Sequence, residues 1–490
     1  MRAVFIVCLV AGSFCTSSAT ASEASNQPIL FNPCELAGTG GNGALHAECA
    51  TWARPLNYDD PNGEQIELFV ARITSTAIEP ALDAMTVING GPGASSIDML
   101  VDFGPVLRAI TRERDLLVVD QRGTGRSTPL SCEGLSDTLE SPTPEQIEET
   151  TRECISTLPH DPKYFSTSIA VRDLESLREE LGYQQLSIYG VSYGTRVALH
   201  YLRQYPTAVR ALVIDGVVPP SAVLGSNVAF NSDETLHAVF AQCAEDSACS
   251  AHFPNLEAEF DELAQRLKNK PAPLTLAHPV TGESTELELG YGHLAIMLRL
   301  ALYGPELRSL IPLIIHEATR NENYTPIASN ALRLVHQLTN SMNYGMHNAV
   351  VCTEDAPFYD RHDVDLQALE ATYLGREMYD TLKTMCSVWP RGVLDPGFKQ
   401  SVSSDVPTLI LSGELDPITP PRYGDQVLAG LSNATHIVGK AQGHGVITRG
   451  CIPKIILDFV EAATIEDLDT SCVEHLDSRP FFINMMGPKP

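Results

Sequence analysis

Gly190-Val191-Ser192-Tyr193-Gly194 follows directly on the short apolar run Leu186-Ser187-Ile188-Tyr189. This is the G-x-S-x-G pattern in the setting that gives it meaning: a strand enters a sharp turn that exposes the serine hydroxyl at the top of a sheet. A serine hydroxyl is a weak nucleophile at neutral pH. It needs a histidine to take its proton and an acid to hold that histidine in the right tautomer. On this kind of turn the chain order is serine, then acid, then histidine. Thr408-Leu409-Ile410-Leu411-Ser412 reads as a late strand and leads into Gly413-Glu414-Leu415-Asp416-Pro417-Ile418-Thr419-Pro420, so Asp416 is the candidate acid and Glu414 its competitor. Thr435-His436-Ile437-Val438 leads into Gly443-His444-Gly445, so His444 is the candidate base, while His436 lies within the strand and reads as structural. An oxyanion hole needs two backbone N–H donors, one from the residue after the nucleophile, here Tyr193, and one from a loop after an early strand. That loop is Asn89-Gly90-Gly91-Pro92-Gly93. Pro92 has no N–H, so Gly90 or Gly91 must donate, and Gly91 is favoured.

These residues need a rigid frame. Ala84–Ile88, Leu116–Val119, Leu186–Tyr189, Ala211–Ile214 and Thr408–Leu411 are apolar runs, rich in β-branched residues, that read as buried strands. Helical patterns lie between the first four; Val171, Leu174, Leu177 and Leu181 share one face, with Gly182 as the stop, and Thr195 to Tyr205 continues from the elbow until Pro206. Such alternation predicts an α/β fold with a mostly parallel sheet covered by helices on both faces, and the family resemblance described below implies eight strands in it. Thr51–Asn57 and Gln65–Arg72, around Pro61-Asn62-Gly63, predict an antiparallel start. The alternation stops after Ile214 and resumes at Thr408. Residues 219–400 read as helical and irregular, with amphipathic stretches at Asn255–Leu267 and Leu294–Leu302 and no clear sheet-type strand. We therefore expect core residues 22–218 and 401–490 with a helical cap, 219–400, inserted between them. The alternative is a second independent domain, and the return of strand chemistry after the segment favours insertion.

The N-terminus reads as a cleavable export signal, residues 1–21: Arg2, the apolar run Ala3–Val10, and Ala19-Thr20-Ala21 before Ser22. The run is too short to span a bilayer, and Phe14 before Cys15 is a poor lipoprotein cleavage context, so no membrane anchor is expected. Two of the 12 cysteines, Cys8 and Cys15, fall in this leader. The other ten form neighbouring couples along the chain, Cys34/Cys49, Cys132/Cys154, Cys243/Cys249, Cys352/Cys386 and Cys451/Cys472, and five local bridges are the simplest expectation for a secreted or periplasmic protein. Metal binding is the weaker reading, because there is no C-x-x-C and no Cys/His cluster at ligand spacing. The formal net charge of −28 argues against nucleic acid and anionic membranes as partners. Two patterns are decoys. Gly38-Thr39-Gly40-Gly41-Asn42-Gly43 fits G-x-G-x-x-G but follows no strand, and His316-Glu317 lacks the second histidine of a zinc-protease helix.

Three motifs together resemble one family. Asn89 to Gly93 resembles the HGGPG loop of proline iminopeptidases, with Asn in place of His. Asp120-Gln121-Arg122-Gly123-Thr124-Gly125-Arg126-Ser127 is similar to their DQRGxGxS segment, and Gly190 to Gly194 is the elbow. The acid loop and the cysteine-rich, exported character resemble the tripeptidyl aminopeptidase (TAP-like) branch, whose specialised C-terminal segment carries the Asp and His. The resemblance implies an α/β-hydrolase serine peptidase without a cofactor, acting through an acyl-enzyme on short peptides with a free N-terminus. It also implies a cap acid for the substrate ammonium. Val351-Cys352-Thr353-Glu354-Asp355-Ala356-Pro357 is similar to a segment of that branch, which makes Glu354 the candidate, since a carboxylate facing an ammonium forms a charge-assisted pair. An esterase or lipase-like hydrolase on the same machinery is the alternative. A binding module without activity is a third reading, disfavoured because such modules usually lose members of the triad and here all are present.

Overall fold

The computed structural model describes residues 28–37, 44–132, 142–361 and 364–488. The expected leader and the run Gly38–Gly43 lie outside the described residues. A nine-stranded sheet forms the centre, in the order β1-β2-β3-β5-β4-β6-β7-β10-β11. Its strands are β1 (Asn32–Ala37), β2 (Ala44–Pro55), β3 (Gln65–Ile73), β4 (Ala84–Ile88), β5 (Asp115–Val119), β6 (Leu186–Val191) and β7 (Val209–Asp215). The middle of the chain supplies a separate hairpin, β8 (Ala272–Ala277) and β9 (Ser284–Leu289), and β10 (Thr408–Gly413) and β11 (Ala434–Gly439) complete the main sheet. β1, β2, β3 and β5 pair antiparallel, and every pairing from β5 onward is parallel.

The sheet has one strand more than expected. The extra one is β1, whose NPCELA sequence has little of the apolar signal that marks a strand; Cys34 bridges to Cys49 on its neighbour β2. The expectation of no strand between 219 and 400 is also corrected. Alternating residues in LTLA and ELEL build β8 and β9, whose alternate side chains are exposed, so the hairpin reads weakly by hydrophobicity.

The central strands are buried on both faces, as their continuous apolar runs require. Ile188, Leu212 and Ile214 point into one helical layer with Val197 and Leu202, while Tyr189, Val213, Leu409 and Leu411 point into the other with Ile455 and Phe459. Residues 219–400 add no strand to this sheet. They carry their own buried cluster, including Leu236, Leu263, Leu298 and Ile315. The five disulfides are the five neighbouring couples, closing separations of 6 to 34 residues. Among the described residues, no helix is long and apolar enough to cross a membrane.

The DQRGTGRS segment turns out to be a scaffold. Arg122 is wholly buried, and its guanidinium forks onto Asp173 at 2.7 and 2.8 Å while donating to the carbonyls of Leu56 and Tyr164. Asp120 accepts from Ser95 Oγ at 2.8 Å, Ile97 N at 3.0 Å and Arg126 N at 2.9 Å, and so fixes the start of helix Ser96–Asp102 just beyond the glycine loop. A Cβ on Gly125 would lie 2.1 Å from the Asp120 carboxylate, so only glycine lets the segment close over it. Asp173→Ala strands the Arg122 charge in the core. It should cost about 3–5 kcal/mol, read as an earlier midpoint in urea denaturation.

Candidate active site

Ser192 stands between the end of β6 and helix Tyr193–Gln204. Its backbone sits at φ 55° and ψ −125°, a region that a residue with a side chain occupies only when its surroundings impose it. The surroundings do impose it. Ser192 N donates to Asp215 O at 2.9 Å, and Thr195 N and Oγ1 donate to Ser192 O at 2.9 and 2.6 Å. A Cβ on Gly194 would lie 2.1 Å from Ile88 O, and one on Gly190 2.5 Å from Gly194 O. The helix can therefore cross the ends of β4 and β6 only because both flanking positions lack side chains.

Asp416 and His444 come together from separate loops after β10 and β11. His444 Nδ1 and Asp416 Oδ2 are 2.8 Å apart, with the acid wholly buried. Asp416 Oδ1 accepts from Ile418 N and Thr419 N, both at 2.8 Å, and Thr419 Oγ1 donates to Oδ2 at 2.8 Å. The carboxylate is thus fixed and solvated by protein donors. Burial pushes the His444 pKa down, but the Asp416 charge and hydrogen bond, helped by Asp215, win and leave it above the ordinary histidine value. Glu414 instead accepts from Ala441 N in the neighbouring turn, which leaves Asp416 as the partner of His444. His436 lies in β11, bonded to Asp425 and Ser412.

The glycine loop resolves its own ambiguity. Asn89 Oδ1 accepts from Gly90 N at 2.7 Å, and Asn89 Nδ2 donates to Ser95 O at 2.8 Å. Gly90 N is occupied, so Gly91 is the loop's remaining donor candidate, at φ 109°. Gly90 itself packs on the nucleophile, since a Cβ there would lie 3.2 Å from Ser192 Oγ. Tyr193 N belongs to the first turn of its helix, where an amide has no intrahelical acceptor. Gly91, Ser192 and Tyr193 line one small apolar recess with Val218, Leu224 and Val228.

A larger cavity of about 670 Å³ opens beside it, lined by Ser192, His444, Gly91 and Tyr303, with Asp98, Asp102 and Arg299 also in its wall. The middle segment supplies much of the wall and is stitched to the loops below. Asn343 N donates to Gly93 O at 2.9 Å, and its side chain accepts from Gly125 N at 2.9 Å and donates to Ser131 Oγ at 2.7 Å.

Glu354 is a correction. It does not line either cavity. Its carboxylate is wholly buried behind the nucleophile helix, where Thr167 N donates at 2.8 Å, Thr167 Oγ1 at 3.0 Å and Arg196 Nη1 lies at 3.4 Å. Tyr193 OH completes the chain at 2.7 Å from Thr167 Oγ1. Its neighbour Asp355 reaches the small recess but is held by Arg196 at 3.0 and 3.1 Å and Lys399 at 2.8 Å. Burial pulls Lys399 down to about 8. Sequence reading missed Asp215, at the end of β7. Its carboxylate accepts from Val446 N, Ile447 N and Tyr189 OH and so braces the loop that carries His444; burial raises it to about 6. Among the described residues, no group of three or more His, Cys, Asp or Glu could hold a metal ion.

A mostly parallel sheet with this serine elbow and a downstream acid and histidine loop defines an α/β-hydrolase. Residues 83–246 match the alpha/beta hydrolase fold family and residues 371–472 match the TAP-like protein family. The chain is 25% identical to serine protease Hip1 of Mycobacterium tuberculosis, over 91% of either chain. It is 29% identical to tripeptidyl aminopeptidase of Streptomyces lividans over 36% of each, and 32% identical to carboxylesterase B of Mycobacterium tuberculosis over 48% of this chain and 51% of that one. These matches support a serine peptidase of the α/β-hydrolase kind with a TAP-like C-terminal segment.

Proposed function

We propose that the protein is an exported aminopeptidase that releases N-terminal residues, proline or short di- and tripeptides, from peptides through an acyl-enzyme. Ser192 Oγ attacks the scissile carbonyl while His444 Nε2 takes its proton, with Asp416 holding Nδ1–H. Gly91 N–H and Tyr193 N–H receive the oxyanion. His444 then protonates the leaving amine, and water returns through the same base to free Ser192. The observation that carries the reading is the cavity. Its volume of about 670 Å³ suits a small ligand, and residues 219–400, which we read as an inserted cap, wall it beside Ser192 and His444. Asp98 and Asp102 supply acidic groups in that wall, with the Asp98 carboxyl raised chiefly by burial. They replace Glu354 as the groups suited to a substrate ammonium. The leader motif and the five disulfides support export into an oxidising compartment.

Acetylating the amino terminus of a short chromogenic peptide removes the ammonium charge. It should lower kcat/KM by about 10- to 100-fold, the scale of a charge-assisted hydrogen bond. Equal turnover of free and acetylated peptides would instead favour an esterase-like hydrolase with the same triad, the reading supported by the similarity to carboxylesterase B.

A further inference from the structure

Arg299 has a role that the proposed chemistry does not use. It lies on helix Tyr291–Ala301 and lines the large cavity together with Ser192 and His444. Its Nε is buried without a hydrogen-bond partner. Among the described residues, no carboxylate is ion-paired with it. The cavity's other arginine, Arg449, also has a buried Nε without a partner, but its Nη1 pairs with Glu306 at 2.7 Å. An arginine normally answers its buried donors with a carboxylate or carbonyl, because a buried N–H left without an acceptor is costly.

The groups that feel the Arg299 charge are Tyr303, Tyr344, Tyr373 and His347. The Arg299 guanidinium hydrogen-bonds Tyr303, whose phenol burial holds above its ordinary value against the lowering effect of that charge and hydrogen bond. His347, also in the wall, is pushed down to about 4 by burial, with Arg299 contributing, so it is uncharged at neutral pH and cannot repel a second cation or replace it. Tyr303 also fixes where Arg299 stands relative to the reaction. Its ring meets the His444 ring edge-on at 5.2 Å, and its carbonyl accepts from His444 N at 2.9 Å. On the peptidase reading His444 hands a proton to the leaving amine, and Arg299 borders the same cavity through Tyr303.

We infer that Arg299 binds a carboxylate on the leaving portion of the substrate, making short peptides that keep such a carboxylate the preferred substrates. The inference rests on the peptidase reading. The carboxylate is either the peptide's free C-terminus or an Asp or Glu side chain, and the guanidinium fork suits both.

Three matched short peptides test it: one with a free C-terminal carboxylate, one C-terminally amidated, and one amidated but carrying glutamate in the leaving portion. The native enzyme should prefer the carboxylate-bearing peptides by about 10- to 100-fold in kcat/KM, mainly through KM. Arg299→Gln should bring that ratio close to one, and Arg299→Lys should restore part of it. Whichever acidic peptide is preferred identifies the source of the carboxylate. A native enzyme indifferent to the three peptides overturns the inference, as does a preference that persists in Arg299→Gln. Calorimetric binding of the same peptides to the Ser192→Ala protein separates this from the hydrolytic reading. If no peptide is cleaved, the peptidase assignment falls, while a carboxylate preference in binding upholds Arg299 and its absence rejects it.

Discussion

Replacing Ser192 by alanine lowers turnover of any substrate by about 10⁴- to 10⁶-fold and leaves the fold intact. The bonds that hold the elbow are backbone bonds: Ser192 N to Asp215 O, and Thr195 to Ser192 O. Alanine keeps them all, and it suffers the same strain at φ 55° that serine does. Only the hydroxyl is lost. The variant should therefore match the native protein in circular dichroism and thermal midpoint while its rate falls to that set by the oxyanion donors alone. A variant retaining more than about one-hundredth of native activity would remove Ser192 from the chemistry.

Asp416→Asn is expected to lower kcat by about 10⁴-fold, with little effect on KM. Every partner of this carboxylate donates to it: Ile418 N, Thr419 N, Thr419 Oγ1 and His444 Nδ1. An asparagine offers one acceptor oxygen and one NH₂. With the oxygen taken by the two backbone amides, the NH₂ faces His444 and makes Nδ1 accept. The proton then resides on Nε2, where the base must be vacant to receive the serine proton. The pH profile gives a second readout. His444 works as a base only when neutral, so native activity is lost as pH falls through its raised pKa. The Asp416→Asn substitution removes the largest of the interactions that raise it, so the acid limb of the residual activity should move to lower pH. An unmoved limb would mean that another group sets it.

The residues proposed to react were legible because each is announced locally. Ser192, Asp416 and His444 each follow an apolar strand and sit among glycines, prolines or short polar residues that force a turn. The strands themselves were legible for the same reason, as buried runs such as Leu409-Ile410-Leu411. What escaped is what depends on distant partners. Glu354 has the composition of an exposed cap acid, and nothing in its neighbourhood reveals that Thr167 and Arg196 enclose it. Asp215 ends a plain apolar strand, and only the fold brings the amides of Val446 and Ile447 to it. Strand β1 is held to β2 by a disulfide and carries little hydrophobic signal, and the hairpin of β8 and β9 is half exposed, so neither has the density of apolar residues that marks a central strand.

Asn343 gives residues 219–400, which we read as a cap, a mechanical character. A roof that swings on a hinge must part from what lies beneath it at each turnover. Here the same residue is hydrogen-bonded to Gly93, in the loop that holds the Gly91 amide, and to Gly125, in the segment that fixes the adjacent helix. Lifting the roof at this point would pull on the loop that carries Gly91, the proposed oxyanion donor. On the peptidase reading we propose, admission is then set by the bore of a standing doorway, which fits short peptides and refuses long or folded chains by size.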